Sequence, residues 1–78
     1  MQVDIITPDE KLFSGESTSV VVPGSDGSLG ILNNHAPLIS ALSKGVIKLQ
    51  TAEGEKSFNV SSGVIEVLKN KVIILAEK

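Results

Sequence analysis

Hydrophobic and polar residues alternate along much of this chain. Ile47 and Leu49 oppose Lys48 and Gln50 in residues 46–50, and Phe58 and Val60 share one side of residues 57–60. A repeat of two belongs to a strand with one covered face. Residues 3–7, 12–15, 16–22, 64–68 and 72–76 are read as further strands, rich in Val and Ile, which fit a pleated surface. Between them lie the turn sequences Pro8-Asp9-Glu10-Lys11, Thr51-Ala52-Glu53-Gly54-Glu55 and Lys69-Asn70-Lys71. Ser61-Ser62-Gly63 marks a break. Residues 38–42, Leu-Ile-Ser-Ala-Leu, fit one helical turn or a short strand; Pro37 in front and the small length favour a strand. Short strands with a turn roughly every 8–12 residues describe an all-β domain, a sandwich or barrel of antiparallel strands. The pattern assigns most of the core to Ile5, Val20, Val22, Ile47, Leu49, Phe58, Val60, Ile65, Val67, Val72 and Ile74. Phe58→Ala is expected to cost about 3–5 kcal/mol on that basis.

Residues 23–38, PGSDGSLGILNNHAPL, break the alternation. Gly24, Gly27 and Gly30 recur at every third position, followed by Ile31-Leu32 and a polar corner closed by His35-Ala36-Pro37-Leu38. Glycine at that spacing supplies φ > 0, so the segment reads as a shaped loop at one end of the domain, with Gly27 and Gly30 both in conformations costly for other residues. Asn33-Asn34 suits a left-handed corner. No Lys-Ser or Lys-Thr pair follows the glycines and no helical period succeeds them, so the loop is not a phosphate cradle.

Composition narrows the class further. The 78 residues make one small domain, spanning residues 1–78. Folding at this size buries roughly 60% of the unfolded surface. There is no cysteine to staple the fold and no Cys/His cluster for a structural metal. Stability therefore rests on a dense aliphatic core. Phe13 and Phe58 are the only aromatics. A net charge of −2 and a pI near 5.2, without a basic patch or stacking rings, exclude a nucleic-acid partner. The longest apolar run, residues 72–76, is too short to span a bilayer, and no signal-peptide pattern opens the chain. The absence of cysteine gives no sign of an oxidising compartment, so the cytosolic side of a membrane or the cytosol itself is expected.

Catalytic candidates are few. His35 is the single histidine, and no serine lies in a G-x-S-x-G context. Asp4 and Glu66 are isolated carboxylates within strand patterns. Asp9, Glu10, Glu16 and Asp26 lack the oxygen-rich spacing of a calcium loop. Lys44, Lys48, Lys56, Lys69, Lys71 and Lys78 fit solvated faces and turn tips. No catalytic, cofactor or metal site is expected; the residue types describe a β-sandwich interaction module.

Ile6-Thr7-Pro8 with Leu12-Phe13-Ser14-Gly15, then PGSDGSLGIL, NHAPLISAL, Gly45-Val46-Ile47, SSGVIEV and the closing NKVIILAE appear in that order. Together they resemble the N-terminal β-domain of the epsilon subunit of bacterial F-type ATP synthase over essentially all 78 residues. The resemblance implies a flattened antiparallel sandwich of about ten strands at the foot of the central stalk. It also implies a non-catalytic rotor subunit that packs on the gamma subunit, rests on the c ring and couples ion transport to ATP synthesis. The location implied is the cytoplasmic face of the bacterial plasma membrane, with membrane contact only through the c ring. Carried over by position, the c-ring loop corresponds to Ser25, Asp26, Gly27, Ser28, Leu29 and Gly30, and the corner facing gamma and the ring to Asn34, His35, Ala36 and Pro37. Leu32 joins them in an expected docking surface. Relatives often carry a carboxylate where this chain has Ser28, and commonly continue past the point corresponding to Lys78 into a regulatory helical hairpin. Neither ATP binding nor inhibition of hydrolysis is expected here, nor is a homo-oligomer. The competing reading is a free-standing module that captures a ligand or peptide on an open sheet edge; co-purification with a membrane ATPase separates the two.

Overall fold

Each alternating segment forms a strand in the computed structural model, which describes residues 1–78. In chain order the strands are β1 (Gln2–Ile6), β2 (Lys11–Glu16), β3 (Ser19–Gly24), β4 (Gly27–Leu32), β5 (Leu38–Leu42), β6 (Gly45–Thr51), β7 (Gly54–Val60), β8 (Ser62–Leu68) and β9 (Lys71–Glu77). The all-β reading stands, with nine strands and no helix. Residues 38–42 form the strand expected of them.

Eight strands run in the order β2-β1-β9-β8-β5-β3-β6-β7, and β4 lies beside β3. Between β5 and β3 a single pair, Gly24 with Leu42, joins the ladders. The sheet folds over at that weak link into two layers, β2-β1-β9-β8-β5 and β4-β3-β6-β7. One face of each layer supplies a common core, in which Val3, Ile5, Val20, Val22, Ile47, Ile65, Val72 and Ile74 are wholly sealed. The overall extents are 25 × 24 × 18 Å.

One ladder departs from the antiparallel expectation: β1 and β9 are parallel, with Val3 beside Val72 and Ile5 beside Ile74. A hairpin dictates the direction of its two strands, but the first and last strands share no local connection. Their relative direction comes from the path of the whole chain between them.

Residues 23–38 are largely hairpin rather than loop, which corrects the expectation. β3 continues through Pro23 and Gly24, Ser25 and Asp26 make a two-residue connection, and β4 begins at Gly27. Gly27 has φ of 124°, as expected; it closes the Ser25-Asp26 turn, in which neither central residue takes a positive φ. Gly30 shows no positive φ and stands opposite Val21 in the β3–β4 ladder. Leu29 and Ile31 point inward while Ser28, Gly30 and Leu32 point outward, so a period of two was present but masked by glycine and an outward leucine. The break at Ser61-Ser62-Gly63 is likewise shorter, since Ser62 and Gly63 already belong to β8. A one-residue corner at Ser61, tied by its N–H to the Glu77 carbonyl at 2.7 Å, carries the chain from one layer to the other.

The third predicted strand shifts to Ser19–Gly24 because Ser17 forms a buried corner, its hydroxyl 2.6 Å from the Ser19 carbonyl and 2.9 Å from that of Gln50. Every expected core residue is sealed except Phe58, which is half-buried and tilted 55° against Phe13 with ring centroids 6.1 Å apart. These two rings close the seam between edge strands β2 and β7. Met1, Val3, Ile31, Leu42 and Ala76 join the core unforeseen.

Candidate functional site

The residues singled out from the sequence lie at opposite ends of β4. Ser25 and Asp26 are exposed at the tip of the β3–β4 hairpin, and Gly27, Ser28 and Gly30 are exposed on the strand that leaves it. Leu29 turns inward and packs against the core. The Ser25 N–H donates to the Ala41 carbonyl at 3.1 Å and the Ser43 N–H to that of Pro23 at 2.7 Å, so β5 and its following turn brace the tip. Asn34, His35, Ala36 and Pro37 lie beyond the far end of β4. The strand separates the two groups by roughly 17 Å at about 3.4 Å per residue.

The corner at residues 34–37 is built on turn geometry. Asn34 takes φ of 63°, the left-handed conformation its type tolerates, and its N–H donates to the Asn70 side chain at 2.7 Å. Lys69 and Asn70 also have positive φ, 49° and 59°, the signature of a type I′ hairpin between β8 and β9. The half-buried His35 donates its N–H to the Leu32 carbonyl at 3.2 Å, and its Nδ1 sits 2.7 Å from the Ala36 carbonyl. An open groove of about 570 Å³ runs between this corner and the β8–β9 turn, lined by Asn34, His35, Pro37, Leu68 and Asn70 among others.

Sequence reasoning missed the larger surface beside that corner. On the outward face of β5, β8 and β9, Ile39 is 72% exposed, Leu75 55%, Leu68 48% and Val64 43%. Their registers set Val64 directly opposite Leu75, while the exposed Glu66 lies between Val64 and Leu68 along β8 and between Ile39 and Ile73 across the strands. The run Val72–Ala76 held a clue, since Leu75 falls on the opposite face from the core residues Ile74 and Ala76. One further signal was readable along the chain: between Glu16 and Lys44 the only charged residue is Asp26. Charge depletion of this kind marks the centre of protein interfaces.

No group of three His, Cys, Asp or Glu side chains converges as a metal site would require. Asp4 lies on the outer side of β1. The Ser14 hydroxyl donates to it at 2.6 Å and foremost holds its pKa below the ordinary 3.8; partial burial opposes this, while the Gln2 amide and the charges of Lys11 and Lys71 reinforce it. A depressed folded pKa means that Asp4 stabilises the fold above pH 3.8 and that this contribution fades as pH falls through the folded value. Ser14→Ala is expected to raise the Asp4 pKa in a carboxyl-detected NMR titration. An unchanged titration would show that the Ser14 bond does not set it.

Comparison with known proteins adds to this geometry. A family model described as ATP synthase, Delta/Epsilon chain, beta-sandwich domain matches residues 1–78. The ATP synthase epsilon chain of Chlorobium limicola is 46% identical over 77 residues, covering 97% of this chain and 88% of that relative. That of Dichelobacter nodosus is 47% identical over 78 residues, covering 99% of this chain and 54% of the relative. Against that relative and the Leptospira borgpetersenii epsilon chain, this chain spans 54% and 61% of their lengths. The fold also matches a chain in the central stalk/c-ring structure of the Tetrahymena thermophila mitochondrial ATP synthase, with TM-score 0.84, 19% identity and coverage of 100% of this chain and 63% of that one. A chain of the Euglena gracilis mitochondrial ATP synthase structure matches with TM-score 0.89 at 19% identity, covering 97% of this chain and 49% of the other.

Proposed function

We propose that this chain, which belongs to the delta/epsilon-chain β-sandwich family of ATP synthase, acts in that membrane-associated complex as a non-catalytic docking module of the rotor. In this reading it binds the gamma subunit and the c ring on the cytoplasmic side of a bacterial plasma membrane, and so helps couple ion transport to ATP synthesis. The observation that carries the proposal is the exposed, largely apolar face of Ile39, Val64, Leu68 and Leu75 around Glu66, continuous with the corner at residues 34–37. A soluble surface of that kind is a binding surface more often than an idle one.

The two expected contact regions suit two partners. The apolar face and the corner offer a broad surface for gamma, and the exposed tip at Ser25, Asp26, Gly27 and Ser28 offers a small polar contact for the c ring. A rotor part has to transmit force without yielding. Two layers of hydrogen-bonded strands over one sealed core meet that need, because packed interiors deform little.

The test is an association measurement with a gamma–c-ring preparation. Ile39→Asp combined with Leu75→Asp places charge on the apolar face at positions already open to water, so the isolated domain keeps its fold. Binding is expected to fall by on the order of a hundredfold, as loss of central interface residues does. His35→Glu should weaken binding less. Undiminished binding by the double variant, with its circular dichroism intact, would remove this face from the interface, and failure of the unaltered chain to bind at all would return it to the free-standing module reading.

A further inference from the structure

We propose that the free edge of β4 receives an extended, uncharged strand of the partner protein that docks on this domain, enlarging the β4-β3-β6-β7 layer by one strand. The proposal rests on the docking reading above and specifies how one contact is made.

Four strands border the two layers: β2, β7, β4 and β5, the last joined to β3 only through Gly24 and Leu42 and already engaged on that side by the Ser25 N–H at the Ala41 carbonyl. The first two are blunted, as edges of soluble proteins usually are. β2 carries Lys11 and Glu16 and has a register irregularity against β1, and β7 carries Glu55 and Lys56. Their Phe13 and Phe58 rings also lean against each other. β4, GSLGIL, has no charge, no proline and no bulge against β3.

The hydrogen-bonding direction of β4 follows from its neighbour. Pro23, opposite Ser28, has no N–H, and its carbonyl accepts from the Ser43 N–H on the other side of β3. The Pro23–Ser28 pair is therefore a non-hydrogen-bonded one, and alternation puts Gly30 and Leu32 in the same class. The N–H and C=O groups of Ser28 and Gly30, with the Leu32 N–H, point to the open side. No bond outside the strand ladders engages Ser28 or Gly30. Gly30 carries no side chain, and the outer face above it is open, since an added Cβ would meet nothing within 4 Å. An incoming strand would satisfy these groups two residues apart, as in β-strand addition. The single charge between residues 17 and 43 suits an uncharged occupant.

Residue-resolved amide exchange tests this, on the free chain and on its complex with a gamma–c-ring preparation. Ser28 and Gly30 amides should exchange fast in the free chain, while those of Leu29 and Ile31 are protected by β3. In the complex the Ser28 and Gly30 amides should slow by at least roughly a hundredfold, matching a backbone bond shielded from water. Gly30→Pro removes the outward N–H at an edge position, where proline is tolerated, and with its circular dichroism intact should weaken the complex by on the order of tenfold, while Gly30→Ala, which keeps the N–H, should not. A complex that forms with those amides still fast overturns the strand addition and leaves the docking reading intact. Concentration-dependent dimers that slow the same amides without any partner would make a second copy of this chain the occupant and overturn the proposal. No complex at all would sink both.

Discussion

Ile74→Ala is expected to leave this domain largely unfolded at room temperature, or close to it. Ile74 is fully sealed at the middle of its layer, flanked by Ile5 on the parallel side and Ile65 on the antiparallel side, both equally sealed. Truncating a buried isoleucine costs about 2–5 kcal/mol, because the lost transfer energy is joined by a cavity its neighbours cannot fill. Folded domains hold only about 5–15 kcal/mol in all, and one this short sits at the low end. Each kcal/mol lowers the melting temperature by roughly 4–8 °C in a domain of this size. Phe58→Ala serves as the internal comparison. A half-buried ring gives back less than the 3–5 kcal/mol of a sealed one, so its melting temperature should lie above that of Ile74→Ala. A calorimetric scan that ranked the two variants the other way would show that the Phe13–Phe58 seam, rather than the isoleucine layer, holds the two sheets together.

The three glycines of the β3–β4 hairpin should give three different results when each is changed to alanine. At Gly24 a Cβ would lie 2.5 Å from the Gly27 carbonyl oxygen and 3.1 Å from two Leu29 carbons, so hairpin backbone has to move. Forced overpacking of this kind costs about 1–3 kcal/mol or more. At Gly27 the space is open, yet φ of 124° lies outside what an L side chain readily adopts. Strain of that sort costs on the order of 1–3 kcal/mol. Gly30 has neither restriction, and alanine there should be neutral or slightly stabilising, because it restricts the unfolded chain. Urea midpoints measure all three. Equal losses at the three positions would mean that the hairpin tolerates none of them for a shared reason, and the separate assignments would fail.

The same glycines show how far the sequence reached and where it stopped. Spacing alone suggested one role for the set, whereas the folded chain gives close approach to Gly24, turn closure to Gly27 and an open edge to Gly30. Local order was legible where a single neighbour decides it. Alternation in residues 46–50 and 57–60 marked strands, the Asn33-Asn34 pair marked a left-handed corner that falls at Asn34, Lys69-Asn70-Lys71 marked a turn, and ten of the eleven expected core residues are sealed. The resemblance in PGSDGSLGIL and NHAPL led to the family that comparison then showed. Tertiary structure decided what depends on distant partners. The parallel pairing of β1 with β9 follows from the path of the entire chain. Phe58 is half open because it meets Phe13 at a seam rather than within a layer. The apolar face of Ile39, Val64, Leu68 and Leu75 exists only once β5, β8 and β9 lie side by side, since alternation says that two faces differ and not which will be covered. A chain's own sequence determines its strands through local sterics and period; which strands meet, and which apolar face is left for a partner, is settled by contacts between residues far apart along it.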